Sequence, residues 1–104
     1  GVGYALTEAG IAHLLLESDE QKVETARAAG APVFHGDASR PDTLVAAGLA
    51  QARLVVLTFS RSKPALRIAQ AVRERCPTLP VVVSCARVTD ARALAALPNV
   101  RVYQ

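Results

Sequence analysis

Residues 32–39 read PVFHGDAS, a short apolar stretch that stops at Gly36 and continues into Asp37 and Ala38. The apolar part predicts a buried strand, because β-branched and aromatic residues fit the pleated surface of a sheet. Upstream, residues 12–17 (AHLLLE) predict a second buried strand that ends in Glu17. In an open parallel sheet, ligands bind outside the carboxyl ends of the strands. The two strand ends therefore predict a ligand crevice, and their spacing favours one nucleotide held by both.

Strand-like and helix-like patterns alternate along the rest of the chain, and glycines follow several of the helical stretches, as C-terminal caps do. Repeated strand–helix–strand units with short connections predict an α/β fold with a doubly wound, Rossmann-like parallel sheet. Helices are predicted at 2–9, 19–29, 41–47, 64–76 and 91–97, and strands at 12–17, 32–35, 53–59, 80–86 and 100–103. Residues 60–63 are predicted to form a polar turn.

The usual opening of such a sheet is a central strand that ends in a glycine-rich GxGxxG turn. The chain opens with Gly1-Val2-Gly3, but Leu6 stands in the place of the third glycine and no strand precedes it. We therefore expect the first strand and its turn to be missing, so that the chain starts inside a longer domain or receives the strand from a partner. The strands at 12–17 and 53–59 would then each carry an unpaired, buried edge.

Length and composition restrict the function classes. The 104 residues predict a single domain, 1–104, and 51% of them are hydrophobic, yet no apolar run approaches the roughly 20 residues of a membrane helix. With no secretory signal pattern, we expect a cytoplasmic protein. A net charge of +3 spread over scattered arginines, with 4% aromatic residues, argues against nucleic-acid binding.

Metal binding and catalysis find little support in the sequence. Cys76 and Cys85 belong to no CxxC pair, so no metal site is predicted. Neither tyrosine, Tyr4 nor Tyr103, is followed by a lysine in a Tyr-x-x-x-Lys pair, and no His or Cys is placed as a proton donor. We therefore expect no catalytic residues and no enzyme activity.

Three segments together resemble a known family. Residues 14–23 (LLLESDEQKV), 32–49 (PVFHGDASRPDTLVAAGL) and 52–83 (ARLVVLTFSRSKPALRIAQAVRERCPTLPVVV) are similar to the TrkA-N or RCK (KTN) domain. Domains of this family are regulatory nucleotide-binding modules of bacterial potassium channels, Trk uptake systems and Kef-type potassium/proton antiporters. The third segment is most like the Kef-type antiporters.

The resemblance implies a non-enzymatic sensor. It would bind NAD(H) or AMP, form a homodimer, and gate ion flux through a membrane-embedded potassium transport domain on the same or a separate chain, at the inner face of the membrane. The resemblance implies that Glu17, with Ser18 beside it, contacts the ribose hydroxyls and that Asp37 and Ala38 flank the adenine. It also implies that Thr58, Phe59 and Ser60 line the far side of the pocket.

Plainer interpretations remain open for these residues. Glu17 fits a solvated strand end, Asp37 fits a turn or helix cap, and the hydroxyls of Thr58 and Ser60 fit partners of turn amides. At the level of function, the alternatives are an assembly module that has lost its ligand and a fragment of an NAD-dependent oxidoreductase. Three leucine or valine residues of the last two predicted helices are expected to pack either in the core or at a dimer interface. They are Leu66, Val72 and Leu94.

Overall fold

The computed structural model describes residues 9–37, 40, 44, 46, 48–87, 89 and 91–103. The predicted helix at 2–9 lies outside the described residues except for its last residue, and of the helix at 41–47 only Leu44 and Ala46, both helical, are described. A short 3-10 turn spans Leu49–Gln51. The other elements are β1 (His13–Glu17), α1 (Glu20–Ala28), β2 (Val33–His35), β3 (Leu54–Arg61), α2 (Ser62–Arg75), β4 (Val81–Arg87), α3 (Ala91–Ala96) and β5 (Val100–Tyr103).

The five strands of the described part form one sheet in the order β2-β1-β3-β4-β5, and every neighbouring pair is parallel. This is the strand order 2-1-3-4-5, one of the common orders of a doubly wound sheet. The predicted fold class is therefore confirmed. The direction of strand addition reverses between β1 and β3, which makes their carboxyl ends the switch point of the sheet.

The expected unpaired edges are not found. β1 pairs with β3 along its whole length, from His13 opposite Leu54 to Glu17 opposite Thr58. The physical reason is that both strands are buried, so their backbone N–H and C=O groups must find hydrogen-bond partners inside the protein. Each strand supplies the partners for the other, and the prediction of two buried, unpaired edges was wrong.

The predicted turn at 60–63 was also wrong. β3 continues to Arg61, which lies opposite Arg87 of β4, and α2 begins at the next residue, Ser62. Pro64 is the third residue of α2. Proline has no backbone N–H to donate, and in the first turn of a helix the N–H groups have no carbonyl acceptor within the helix. Pro64 therefore fits the first turn, as predicted.

The sheet is covered on both faces, which explains its near-continuous apolar strands. Leu14 and Leu16 belong to the larger core with α2 and α3, whereas Leu15, between them, belongs to a smaller core beneath α1. Val72 and Leu94, predicted as core or dimer-interface residues, are fully buried in the larger core, against which Leu66 packs half-buried.

Candidate functional site

The candidate site lies at the switch point, where β1 and β3 end side by side. Glu17 and Thr58 are opposite each other in the parallel register, so their side chains leave the sheet at the same level. One residue further, the Ser18 amide donates a hydrogen bond to the Thr58 carbonyl oxygen at 3.3 Å. These contacts bring four of the predicted site residues, Glu17, Ser18, Thr58 and Ser60, into one short stretch of surface.

Both carboxylate oxygens of Glu17, a half-buried residue, accept hydrogen bonds. Oε2 accepts from the Asp19 amide at 3.0 Å and from the Ser18 hydroxyl at 3.4 Å, and Oε1 accepts from the Thr58 hydroxyl at 3.3 Å. A carboxylate offers about four lone-pair positions. The carboxylate is therefore held in place by its neighbours, and the three bonds from described residues leave about one lone-pair position for a ligand hydroxyl.

Ser18 connects all three strands at this edge of the sheet. Its hydroxyl oxygen accepts a hydrogen bond from the Ser60 amide at 3.3 Å, across to β3. Its carbonyl oxygen lies 3.1 Å from Nε2 of His35, at the end of β2. Asp19 caps α1, since its carboxylate accepts hydrogen bonds from the amides of Gln21 and Lys22.

The end of β2 is fixed by Gly36, whose amide donates to the Glu17 carbonyl oxygen at 2.8 Å. Asp37 follows it and is half-buried, with its carboxylate 3.9 Å from the guanidinium of Arg40. Phe59 is 4% exposed and packs on Gly36, where an added Cβ would lie 2.6 Å from Cζ of the ring. Ala38 lies outside the described residues.

Two neighbouring clefts open at this edge. The larger cleft, of about 500 Å³, is lined in part by Ser18, Asp37, Phe59 and Ser60. The smaller cleft, of about 290 Å³, is lined in part by Ser18, Phe59 and Ser60 together with Glu17 and Thr58. The structure therefore brings six predicted residues around two clefts with a common wall. Glu17 and Asp37 do not line the same cleft.

Other residues, which were not predicted from the sequence as site residues, also line these clefts. Pro64 and Arg67 line the larger cleft, and Lys22 and Cys85 line the smaller one. Pro64 and Arg67 are three positions apart near the start of a helix, which places them on one face, and that spacing is the signal in the sequence. Burial raises the pKa of the Cys85 thiol above its ordinary 9.0.

Two further findings concern metals and membranes. In the part of the chain that the structure describes, no group of three or more His, Cys, Asp or Glu residues is arranged to hold a metal ion. Across those same residues, no helix combines the length and the apolarity needed to cross a membrane.

Comparison with known proteins gives a consistent result. The TrkA-N domain pattern matches residues 2–102. The chain is 40% identical over 83 residues to the putative K(+) efflux antiporter KefB of Alkalimonas amylolytica, a match covering 80% of this chain and 13% of that protein. It is 32% identical over 80 residues to the glutathione-regulated potassium-efflux system protein KefC of Escherichia coli O139:H28, covering 77% of this chain and 13% of that protein. The chain thus spans about an eighth of the length of these relatives.

Proposed function

This chain belongs to the TrkA-N domain family, and from that premise we propose that it is a nucleotide-sensing regulatory domain of a Kef-type potassium transport system. In this proposal, NAD(H) or AMP binds at the ends of β1, β2 and β3. Two copies of the domain form a homodimer that responds to the ligand and gates ion flux through an attached membrane domain. The domain lies in the cytoplasm at the inner face of the membrane and performs no chemistry on the nucleotide.

The observation that carries the proposal is the position of Glu17. Its carboxylate ends β1 at the switch point, and both of its oxygens are oriented by donors of the protein. An acidic residue at this place in a doubly wound sheet is the usual partner of ribose hydroxyls. Ser18 lies beside it and adds a hydroxyl at the wall that the two clefts share.

The remaining roles follow the direction of the clefts. Asp37 and Ala38 are proposed to flank the adenine, with Asp37 at the larger cleft. Thr58, Phe59 and Ser60 are proposed to line the opposite wall. The nucleotide would then span both clefts across the residues common to them, Ser18, Phe59 and Ser60, with its ribose at Glu17 and its adenine at Asp37.

Calorimetric titration of the purified protein with NADH, NAD and AMP tests the site. We expect the Glu17→Gln variant to bind at least about tenfold more weakly, because hydrogen bonds to a charged acceptor contribute about 1.5–3 kcal/mol. Glu24→Gln is the matched control: Glu24 is exposed on α1, carries the same charge and lines neither cleft. Equal affinities of wild type and Glu17→Gln would show that the ligand contact is assigned to the wrong residue.

A ligand-free assembly module is the second candidate, and one observation favours it. The Glu17 carboxylate already accepts three hydrogen bonds from its own chain, so it is stable without a ligand. Absence of binding for all three nucleotides, with dimerisation retained in sedimentation experiments, would support this candidate over the sensor.

Gating requires a separate measurement. Potassium flux through the complete transporter in proteoliposomes is expected to change when the nucleotide identified by calorimetry is added on the side of this domain. The Glu17→Gln variant should lose that response while its basal flux is retained. A response of equal size in both proteins would contradict gating through this site.

A further inference from the structure

A third cleft, here called the basic cleft, lies beside the candidate site. Its volume is about 380 Å³, and four of its six lining residues are cationic. It is formed where β3 and β4 end and α2 begins. The lining residues are Arg61, Lys63, Pro64, Arg67, Arg87 and Thr89.

The four cations have no acidic partners among the described residues. The ion pairs found there are His35 with Glu20 and Arg40 with Asp37, and neither involves the basic cleft. Arg61 and Arg87 lie directly opposite each other in neighbouring parallel strands. Like charges in such a position repel and destabilise the sheet. Among the described residues, positive charge is therefore concentrated here with no ion pair to an acidic side chain.

The start of α2 adds to the positive potential. Arg61 occupies the cap position of this 14-residue helix and its side chain makes no capping hydrogen bond. No acidic residue is found in the first turn, which contains Lys63 instead. The free N–H groups and the dipole at a helix N-terminus favour a negative charge and disfavour a cation. An anion in the cleft would balance both the helix end and the side chains.

Hydrogen bonds between Ser62 and Thr89 fix the rim of the basic cleft without a ligand. Ser62 is 1% exposed, and its hydroxyl oxygen accepts a hydrogen bond from the Thr89 amide at 3.0 Å. The two hydroxyls, on Ser62 and Thr89, are 3.1 Å apart and also hydrogen-bonded. These bonds join the first residue of α2 to the segment after β4, so the cationic residues converge on a formed cavity.

We propose that the basic cleft binds a phosphate-bearing small molecule, at a site distinct from the nucleotide crevice. Phosphate fits this chemistry because guanidinium groups bind its oxygens in pairs and a lysine adds a compact point charge. The volume accommodates a group of at least pyrophosphate size. The proposal goes beyond the proposed function and stands without it. Arg61, Pro64 and Arg67 line both the basic cleft and the larger cleft, so the two sites share a wall.

Titration calorimetry with sodium pyrophosphate tests the proposal. The test variant is Lys63→Gln/Arg87→Gln, because these two residues line the basic cleft but neither cleft of the candidate site. The control variant is Arg53→Gln/Arg101→Gln, which removes two exposed cations that do not line the basic cleft. We expect the test variant to bind pyrophosphate at least about tenfold more weakly than wild type, and the control variant to remain within about threefold.

Thermal unfolding provides the check on folding. Without ligand, the midpoint of the test variant should equal or exceed that of wild type, because repulsion between cations is relieved. Pyrophosphate should raise the midpoint of wild type and control but not of the test variant, since a ligand stabilises the state that binds it. Absence of pyrophosphate binding by wild type, unchanged binding by the test variant, or an equal loss in the control would overturn the proposal.

Two further titrations identify the source of the phosphate. If the phosphate belongs to a separate compound, pyrophosphate binds equally well when AMP is present in excess. If it belongs to a longer nucleotide that crosses the shared wall, ATP binds more tightly than AMP and the Lys63→Gln/Arg87→Gln variant loses that difference. Glu17→Gln should leave pyrophosphate affinity unchanged, so failure of the nucleotide site is distinguishable from failure of the basic cleft.

Discussion

The hydroxyl of Thr58 lies 3.3 Å from Oε1 of Glu17 and 3.4 Å from the carbonyl oxygen of Leu16, across the two central strands. A hydroxyl has one hydrogen, so Thr58 donates to one of these acceptors at a time. The parallel pairing of β1 with β3 puts Thr58 opposite Glu17. The orientation of the acid at the switch point therefore depends on a side chain of the neighbouring strand.

Replacement of Thr58 by valine should separate the positioning of Glu17 from packing. Valine keeps the branched shape but removes the donor, so we expect a loss of about 0.5–1.5 kcal/mol in the free energy of unfolding, measured by urea titration. Nucleotide affinity should fall as well, because the carboxylate loses one of its fixed donors. Thr58→Ser keeps the hydroxyl and should behave like wild type. Identical nucleotide affinities for the two variants would argue against a positioning role.

Gly36→Ala should destabilise the protein through a clash with Phe59. The added Cβ would lie 2.6 Å from Cζ of a ring that is 4% exposed, and 3.2 Å from Cβ of Leu16. Overpacking of this kind costs about 1–3 kcal/mol. In a Phe59→Leu background the same alanine substitution should cost less, which a double-mutant cycle by urea unfolding measures. An equal cost in both backgrounds would show that the ring is not responsible.

Much of the fold could be predicted from the sequence because the local signals agree with one another. The buried strands read as apolar runs, Gly30 ends α1 with a φ of 88°, and Asp19 caps the same helix. The end of β3 was predicted too early. Ser60 and Arg61 are polar, which suggested a turn, but both are exposed at the rim of the sheet, where a strand tolerates polar side chains.

The candidate site was predictable in its strand ends but not in its cavities. Glu17 ends one predicted strand and Asp37 comes just after another, and those positions alone indicate the same edge of the sheet. The division into two clefts depends on Phe59, which packs on Gly36 and belongs to a wall common to both. The basic cleft depends on the register that puts Arg61 opposite Arg87. Tertiary packing and register of this kind leave no local pattern in a single sequence.

Asn99 should tolerate glycine better than alanine. It adopts a φ of 58°, which L residues rarely adopt, and its side chain donates to the Thr78 carbonyl oxygen at 3.0 Å. Glycine loses only the hydrogen bond, whereas alanine loses the bond and keeps the unfavourable backbone conformation. We expect Asn99→Ala to be less stable than Asn99→Gly by about 1 kcal/mol in urea unfolding. The reverse order would contradict the assignment of backbone strain.

The stability of the protein should fall at alkaline pH because of Cys85. This residue is 2% exposed, and burial raises the pKa of its thiol above the ordinary 9.0. Above pH 9.0 the unfolded chain releases this proton while the folded chain keeps it, so the unfolded state binds fewer protons and the free energy of unfolding decreases as pH rises. The contribution of this thiol is complete below pH 9.0 and is lost as pH rises towards the folded pKa.

Urea unfolding at a series of pH values through this window measures the effect, with a slope from one thiol of no more than about 1.4 kcal/mol per pH unit. Other groups also titrate at high pH, so the informative quantity is the difference in slope between wild type and Cys85→Ala. The alanine variant is expected to lose stability less steeply, although its packing defect lowers its stability at every pH. Cys76→Ala is the matched control, since Cys76 is half-buried at the end of α2 rather than inside a strand. Parallel slopes for wild type and Cys85→Ala would mean that the buried thiol contributes nothing to the pH dependence.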